Sequence, residues 1–307
     1  MDIFLQQIVN GLVQGSIYAL VALGYTMVYG IMGLINFAHG EVVMIGTLVT
    51  ITVAGSLIKA GMPVALAGLA GLSASVLVCM ALGWGLERIA YRPLRNAPRL
   101  TPLITAIGMS IVLQNLAMMI WGRNYLTFPS LLPKVNFELA GAHFTAIQVI
   151  IVLVSGATMA GLLGLIYRTK LGMAMRATAQ NPAVASLMGV NINRVIAAAF
   201  VIGSALGALA GVMVGTYYEI AHYQMGFMLG LKAFTAAVLG GIGNLTGALL
   251  GGIVLGMLET FAGSYLGVFT MGAAGSEYKD IFAFSILIIV LIFRPQGLMG
   301  SSVGQKA

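Results

Sequence analysis

Long apolar runs separated by short polar segments fill most of this sequence. The runs suited to crossing a membrane lie near residues 5–30, 41–58, 63–87, 101–121, 146–167, 195–218 and 280–293. They lack the alternation of polar and apolar residues that a membrane β-barrel strand shows, and a backbone surrounded by lipid must satisfy its hydrogen bonds internally. The pattern therefore predicts transmembrane α-helices.

A further apolar stretch, residues 226–262, is 37 residues long. As a helix it would measure about 55 Å, slightly short of two crossings of a ~30 Å hydrocarbon core, so it predicts either two short helices or a re-entrant pair. Gly241, Gly243 and Asn244 should interrupt it near the middle of the membrane, as broken helices line substrate paths in transporters. A second interruption is predicted between Gly30 and Glu41.

These elements predict an all-α fold: a polytopic membrane helix bundle with eight to nine crossings, some broken or re-entrant, in one domain covering 1–307. If residues 5–58 cross twice, the count is nine and the N-terminus is outside; one long broken helix gives eight and places it inside. Small residues spaced four apart between Gly240 and Gly256 predict close helix packing. With no cationic region before the first run, we expect that run to stay as a membrane helix.

Composition excludes a water-soluble fold, since 60% of the residues are hydrophobic and only 7% are charged. The net charge of +7 does not indicate nucleic-acid binding, because the basic residues lie in short loops between apolar runs. The single Cys79 excludes an internal disulfide and is interpreted as packing material. Three scattered histidines have no metal-ligand spacing, so no metal or other cofactor is predicted.

The distribution of Lys and Arg predicts the orientation of the chain. The basic residues form three groups: Arg88, Arg92, Arg95 and Arg99; Arg168, Lys170, Arg176 and Arg194; and Arg294 with Lys306. Loops rich in Lys and Arg remain in the cytoplasm. We therefore expect these three groups and the C-terminus to be cytoplasmic.

The second group belongs to a polar segment, residues 168–194, that should contain a short helix. Asn181 and Pro182 have the chemistry of an N-cap and a first helical position, and Gly189 suits a left-handed C-terminal cap. The helix of about two turns is too short to cross a bilayer. Val184, Leu187 and Met188 form its apolar face, which needs the membrane surface, the rest of the bundle or a soluble partner to cover it.

This segment resembles the coupling helix of bacterial ATP-binding-cassette (ABC) importer permeases, in which an Ala-rich helix followed by Gly docks into an ATPase subunit. The match is Ala183 to Gly189 (AVASLMG); where those permeases begin the helix with an acidic residue, this chain has Gln180 and Asn181. The resemblance assigns coupling to Arg176, Gln180, Asn181, Pro182, Ala183, Ala185, Leu187 and Gly189.

Three longer segments resemble the LivH-type permeases of high-affinity branched-chain amino acid import. They are GYTMVYGIMGLINFAHGEVVMIG (24–46), ERIAYRPLR (87–95) and KAFTAAVLGGIGNLTGALLGG (232–252). The resemblance implies a bacterial inner-membrane permease that forms half of a translocation path for branched-chain amino acids or related amino acids and amides. It also implies a second related permease, two ATPase subunits and a periplasmic binding protein as partners, beside the lipid bilayer.

The chain itself is not expected to be an enzyme. No Lys follows a Gly, so the GxxxxGK[ST] phosphate loop is absent from the sequence, and ATP hydrolysis would belong to separate subunits. The NPA triplet at Asn181 occurs once, in a basic loop, whereas water channels carry two copies within the membrane. We interpret it as coincidence.

An ion-coupled secondary transporter of a small solute is the alternative function, and it would need ionisable groups inside the membrane. Its candidates are Glu41, Glu219, Lys232 and Glu259; snorkelling or solvation at span ends is their simpler interpretation. For either function the candidate path residues are Asn36, His39, Glu41, Lys232, Gly241, Gly243 and Asn244. A buried capping role for Asn36 or Glu41 remains the competing interpretation.

Overall fold

A computed structural model describes residues 2–95, 97–98, 100–132, 135–139, 142–269 and 278–300. The helices are α1 Asp2–Met32, α2 His39–Lys59, α3 Val64–Leu86, α4 Leu100–Trp121, α5 Ala146–Arg168, α6 Lys170–Gln180, α7 Pro182–Leu187, α8 Ile192–Tyr218, α9 Met225–Gly240, α10 Leu245–Phe269 and α11 Lys279–Phe293. A π-helical turn, Glu87–Tyr91, and a 3-10 turn, Arg92–Leu94, extend α3. Four short strands lie in connecting segments: β1 Leu126–Thr127, β2 Asn136–Leu139, β3 Ala142–Thr145 and β4 Ile220–Ala221.

The predicted fold class is confirmed. Seven described helices are long and apolar enough to cross a membrane, and the shorter apolar helices α9, of 16 residues, and α11, of 15 residues, accompany them. Residues 226–262 form two helices, as one of the two interpretations had it. However, α10 is not short: it continues to Phe269 and has 25 residues. The sequence analysis missed α6 and all four strands.

The chain reverses direction between α1 and α2. Gly24 of α1 lies against Gly203 of α8, and Val28 packs with Phe200 and Ile196, so α1 and α8 are antiparallel. In contrast, α2 runs parallel to α8, because His39 lies near Gly207 and Thr47 near Gly211. Residues 5–58 thus form two oppositely directed helices.

One end of the bundle carries Arg88, Arg92, Arg95, Arg168 and Arg176 and will be called the arginine end; Arg123, just after α4, lies at the opposite end next to His222. The helical segment that includes α3 reaches Arg92 there, and α5 reaches Arg168. The N-terminus lies at the opposite end, where the backbone N–H of His143, in the segment that enters α5, donates to Gln6 Oε1 at 2.8 Å. This matches the nine-crossing alternative. Arg99 and Lys306 fall outside the described residues.

Two groups of three helices make the same contacts in opposite directions. In the first group, α1 packs on α10 and on α9, and α9 packs on α10. In the second group, α8 packs on α3 and on α2, and α2 packs on α3. The antiparallel course of α1 and α8 makes the two groups inverted relative to each other. Inverted repeats of this kind are a common architecture of transporters.

Glycine at four-residue spacing forms the seam between α1 and α10. Gly252 lies so close to Ala19 that a Cβ on Gly252 would be 2.5 Å from the backbone N and Cα of Ala19. Gly15, one turn before Ala19 on α1, is similarly close to α10, where a Cβ would lie 2.7 Å from Ile253 Cα. Such approach adds dispersion contacts between helices that gain nothing from hydrophobic burial in lipid. The predicted packing role of these glycines is confirmed.

The seam predicts that Gly252→Val lowers the thermal stability of the purified protein. The added methyl groups meet backbone, and overpacking costs about 1–3 kcal/mol. Gly161→Val on α5 is the matched control, because no heavy atom lies within 4 Å of a Cβ built there. Equal melting temperatures for the two variants would contradict the assignment.

Candidate substrate path and coupling surface

The N-termini of α2 and α9 meet inside the bundle at a contact that we call the helix junction, comprising His39, Gly40, Glu41, Gly226 and Gly230. Gly40 and Gly230 approach so closely that a Cβ on Gly40 would lie 2.8 Å from the Cα of Gly230. Both helices therefore direct the partial positive charge of their first N–H groups towards the same point.

The helix junction lies about midway along the bundle. Cys79, near the middle of the apolar segment Val64–Leu94, donates its thiol to the carbonyl of Val42 at 3.4 Å. This contact places the first turn of α2 level with the centre of the neighbouring span. Cys79 is fully buried, as its interpretation as packing material predicted. Helices that begin at this depth are the kind of interrupted helix that the sequence analysis expected near the middle of the membrane.

Glu41 is fully buried at the helix junction and joins three helices. Its Oε1 accepts hydrogen bonds from Ser110 Oγ at 3.0 Å and from Gln114 Nε2 at 2.7 Å, both on α4. Its Oε2 faces the first turn of α9, where a Cβ on Gly226 would be 2.5 Å away. A carboxyl group in this position complements the N-terminal end of α9.

His39 is enclosed rather than open to a channel. Its side chain fills the space left by Gly24 and Gly207, it is 1% exposed, and its ring lies edge-on to Tyr25 with centroids 4.9 Å apart. In this conformation His39 and Glu41 are therefore sealed by the chain's own helices. Their assignment to the path stays a prediction about another conformation.

Asn36 organises the turn between α1 and α2. Its Oδ1 accepts from the Tyr91 hydroxyl at 2.9 Å and from the backbone N–H of Ala38 at 3.2 Å. These contacts correspond to the capping alternative, since they hold the chain where no helical hydrogen bonds are made.

Lys232 and Glu259 pair inside the bundle, so the interpretation that they snorkel or are solvated at span ends is wrong. Lys232 Nζ lies 2.7 Å from Glu259 Oε1 and 2.7 Å from Asp280 Oδ1, while Tyr18 donates to Glu259 Oε2 at 2.7 Å. Tyr18 and Asp280 were missed by the sequence analysis. The sequence did contain one signal for the pairing of Lys232 with Glu259. Each is the single charged residue of an apolar helix, the two helices follow each other in the chain, and charges within a membrane require partners.

The break at Gly241–Asn244 lies at the arginine end, so its predicted position near the middle of the membrane is wrong. Asn244 Nδ2 donates to the carbonyl of Met299, just beyond α11, at 2.8 Å, and Gly243 lines a small cavity together with Arg176 of α6. The physical reason is that α10 is a full-length helix, which moves its first residue to the end of the bundle.

The polar segment 168–194 contains the predicted short helix, here α7. Asn181 caps it by accepting from the backbone N–H of Val184 at 3.1 Å, Pro182 is its first residue, and Gly189 follows it with φ +85°. Ala185 is buried against the bundle, whereas the side chains of Gln180, Asn181, Pro182, Ala183, Val184, Leu187 and Met188 are exposed. The predicted caps and the apolar face are confirmed.

Arg176 does not belong to this exposed surface. Its guanidinium donates to the carbonyl of Ile166 at 2.7 Å and lies over the ring of Tyr167, 5.3 Å from the centroid. Arg176 therefore anchors α6 to the end of α5. Any part that it has in coupling would be exerted through this anchor.

The helix junction predicts that Glu41→Ala destabilises the protein. The substitution leaves the buried hydroxyl of Ser110 without its acceptor, at a cost of about 1–3 kcal/mol, and removes the acceptor of the half-buried Gln114. Glu41→Gln keeps one acceptor and should be milder. Melting temperatures of the purified variants test this, with Glu138→Ala on the exposed strand β2 as control; an unchanged melting temperature for Glu41→Ala would contradict the role.

Comparisons with known proteins identify relatives of this chain over nearly its whole length. The chain is 48% identical over 309 residues to the "High-affinity branched-chain amino acid transport system permease protein BraD" of Pseudomonas aeruginosa, covering 99% of this chain and 98% of that protein. It is 45% identical over 308 residues to the corresponding permease protein LivH of Escherichia coli K12, covering 99% and 97%. Among solved structures, "PsaBC from Streptococcus pneumoniae in complex with Fab" matches with a TM-score of 0.46 at 15% identity, over 94% of this chain and 91% of that one.

The family comparison covers nearly the whole helix bundle. The profile of the family described as "Branched-chain amino acid transport system / permease component" matches residues 7–291, from α1 into α11. This range includes the helix junction, the buried ion pairs and α7. The chain therefore belongs to the family of permease components of branched-chain amino acid transport systems, as a multi-pass membrane protein.

Proposed function

We propose that the chain forms half of the translocation path of an ATP-driven importer for branched-chain amino acids or related amino acids and amides. A second related permease supplies the other half, two ATPase subunits drive the cycle, and a periplasmic binding protein delivers the substrate. The names of the BraD and LivH relatives, which belong to high-affinity branched-chain amino acid transport systems, support the substrate class.

The orientation proposed is a bacterial inner membrane with the arginine end in the cytoplasm. Arg88, Arg92, Arg95, Arg168 and Arg176 all belong to helices or turns at this end. Loops rich in basic residues are retained on the cytoplasmic side. The C-terminus and α7 then face the ATPase subunits, and the N-terminus faces the binding protein.

The exposed apolar face of α7 is the observation that carries the proposal. Leu187 is 87% exposed and Met188 is 80% exposed, although both are large apolar side chains. A rigid, capped helix that presents them is suited to a hydrophobic groove on a soluble partner. A motor that closes on ATP could displace α7 by holding these two side chains.

Movement of α7 would reach the bundle through a short chain of contacts. Ala185 holds α7 against its neighbours, and α6 is fixed to α5 by Arg176 and by Gly172, which has no room for a side chain next to the carbonyls of Leu165 and Ile166. Helix α6 also contacts α1 and α8. Displacing the pair α6–α7 would therefore tilt α1 and α8 together and rock the two inverted groups about the helix junction.

An ion-coupled secondary transporter is not favoured. The family is one of permease components, that is, parts of multi-subunit transport systems. An uptake that persists with a protonophore but stops without ATP would separate the two mechanisms.

Charged substitutions on α7 are expected to uncouple the transporter. Leu187→Glu and Met188→Glu place a charge where the partner groove is apolar, so uptake of leucine by the assembled importer should fall about tenfold or more. ATPase activity should lose its stimulation by the loaded binding protein. Met173→Glu on α6, which is also exposed, is the matched control; normal stimulated ATPase activity and uptake in the α7 variants would refute the coupling role.

Cysteine labelling tests the orientation. Native Cys79 is fully buried, so a membrane-impermeant maleimide should react only with an introduced thiol. Met188→Cys should be modified in inside-out vesicles but not in intact spheroplasts, and Asn124→Cys should show the reverse. Modification of Met188→Cys from outside would place α7 beyond the reach of any cytoplasmic motor.

A further inference from the structure

A cavity of about 270 Å³ opens at the end of the bundle opposite the arginine end. Its entrance carries Tyr125 and His222, whose rings stack with centroids 4.6 Å apart. The pairing of Leu126 with Ala221 holds these two residues together. The cavity therefore lies on the side from which the proposed function expects substrate to arrive.

The inner part of the cavity combines an apolar wall with one cation. Val214, Met225, Met228 and Leu229 line it, together with Lys232 and Tyr18. Lys232 is on α9, two residues after Gly230 of the helix junction. The cavity thus leads from the surface to the depth at which the two inverted groups meet.

Lys232 has donor capacity beyond its two ion pairs. An ammonium group carries three N–H donors. Glu259 Oε1 accepts one of them at 2.7 Å, and Asp280 Oδ1 lies 2.7 Å from Nζ as an ion-pair contact without hydrogen-bond geometry. A further donor is left for a group inside the cavity, because Lys232 is part of the cavity wall.

The charges around Lys232 balance. Lys279 Nζ lies 3.5 Å from Glu259 Oε1, so two lysines, Lys232 and Lys279, face two carboxylates, Glu259 and Asp280. A ligand that is itself a zwitterion leaves the total charge at zero when it enters next to such a net-neutral cluster. An isolated anion or cation would leave one charge uncompensated.

We propose that Lys232 binds the α-carboxylate of the transported amino acid in this cavity, with the aliphatic side chain against Val214, Met228 and Leu229. Glu259 and Asp280 do not line the cavity; they pair with the Lys232 ammonium and hold it at the cavity wall. The site is a transient stop between release from the binding protein and passage to the cytoplasm. This inference rests on the proposed function and adds the residues that recognise the substrate.

The test uses the complete importer in proteoliposomes, with leucine uptake and ATPase activity measured in the presence of loaded binding protein. Lys232→Gln should lower uptake by about tenfold or more, the usual effect of losing a charge-assisted hydrogen bond, while stimulated ATPase activity persists. Lys279→Gln is the matched control: it removes one positive charge next to Glu259 but does not line the cavity, and uptake should stay within about twofold of wild type. Uptake by Lys232→Gln within twofold of wild type would overturn the proposal.

A double variant separates substrate binding from charge balance. Lys232→Met with Glu259→Gln removes one charge of each sign, so it keeps the cluster neutral if Lys232→Gln alone fails to assemble. Recovery of uptake in the assembled double variant would show that Lys232 only compensates Glu259, and would overturn the proposal; continued loss of uptake supports it. Failure of the wild-type importer to take up leucine with ATP would instead refute the proposed function.

Discussion

A helix that begins inside a lipid-embedded bundle exposes N–H groups that neither lipid nor water satisfies, and both α2 and α9 begin in this way. The structure meets this constraint locally. Asn36 accepts from the N–H of Ala38, and the carbonyl of His222 accepts from the N–H of Met225. The buried carboxyl of Glu41 then faces the first turn of α9 and takes two donors from α4. Because the two N-termini can meet only where side chains are absent, Gly40, Gly226 and Gly230 follow from the same constraint.

The helix junction also accounts for the space next to the start of α9. Helices that start midway leave unfilled space between the neighbouring spans. The cavity lined by Lys232 lies in such a space, next to the start of α9. Its ion pairs join α9, α10 and α11, while Tyr18 links them to α1. The inverted arrangement of the two helix groups means that rocking one group against the other changes access to this space from either end. Tight glycine seams, as between α1 and α10, let each group move as a unit.

The sequence predicted the spans well and their depth poorly. Apolar run length is a local signal, so the predicted bounds of α4, α5 and α8 differ from the observed ones by at most three residues. The caps of α7 were equally local, since Asn181, Pro182 and Gly189 act on their own neighbours. In contrast, the residues between Met32 and His39 are as apolar as the helices they separate, so hydropathy could not show that α2 begins midway. The partner of Lys232 was not predictable either: Glu259 and Asp280 belong to other helices, and a single sequence states only that a buried charge needs a partner.

If α7 drives transport as proposed, its movement has to reach Lys232 inside the bundle through the helices that are packed between them. The helix pair α6–α7 is fixed to the end of α5 through Arg176 and Gly172, and it contacts α1 and α8, each the longest helix of one inverted group. Tyr18, which holds Glu259, lies on α1, and Val214, which lines the cavity, lies on α8. A tilt of these two helices would therefore change the distance between the apolar wall and the ion cluster. Differential contact with the substrate in the two positions is what coupling requires, because a ligand shifts an equilibrium only by its difference in affinity for the two states.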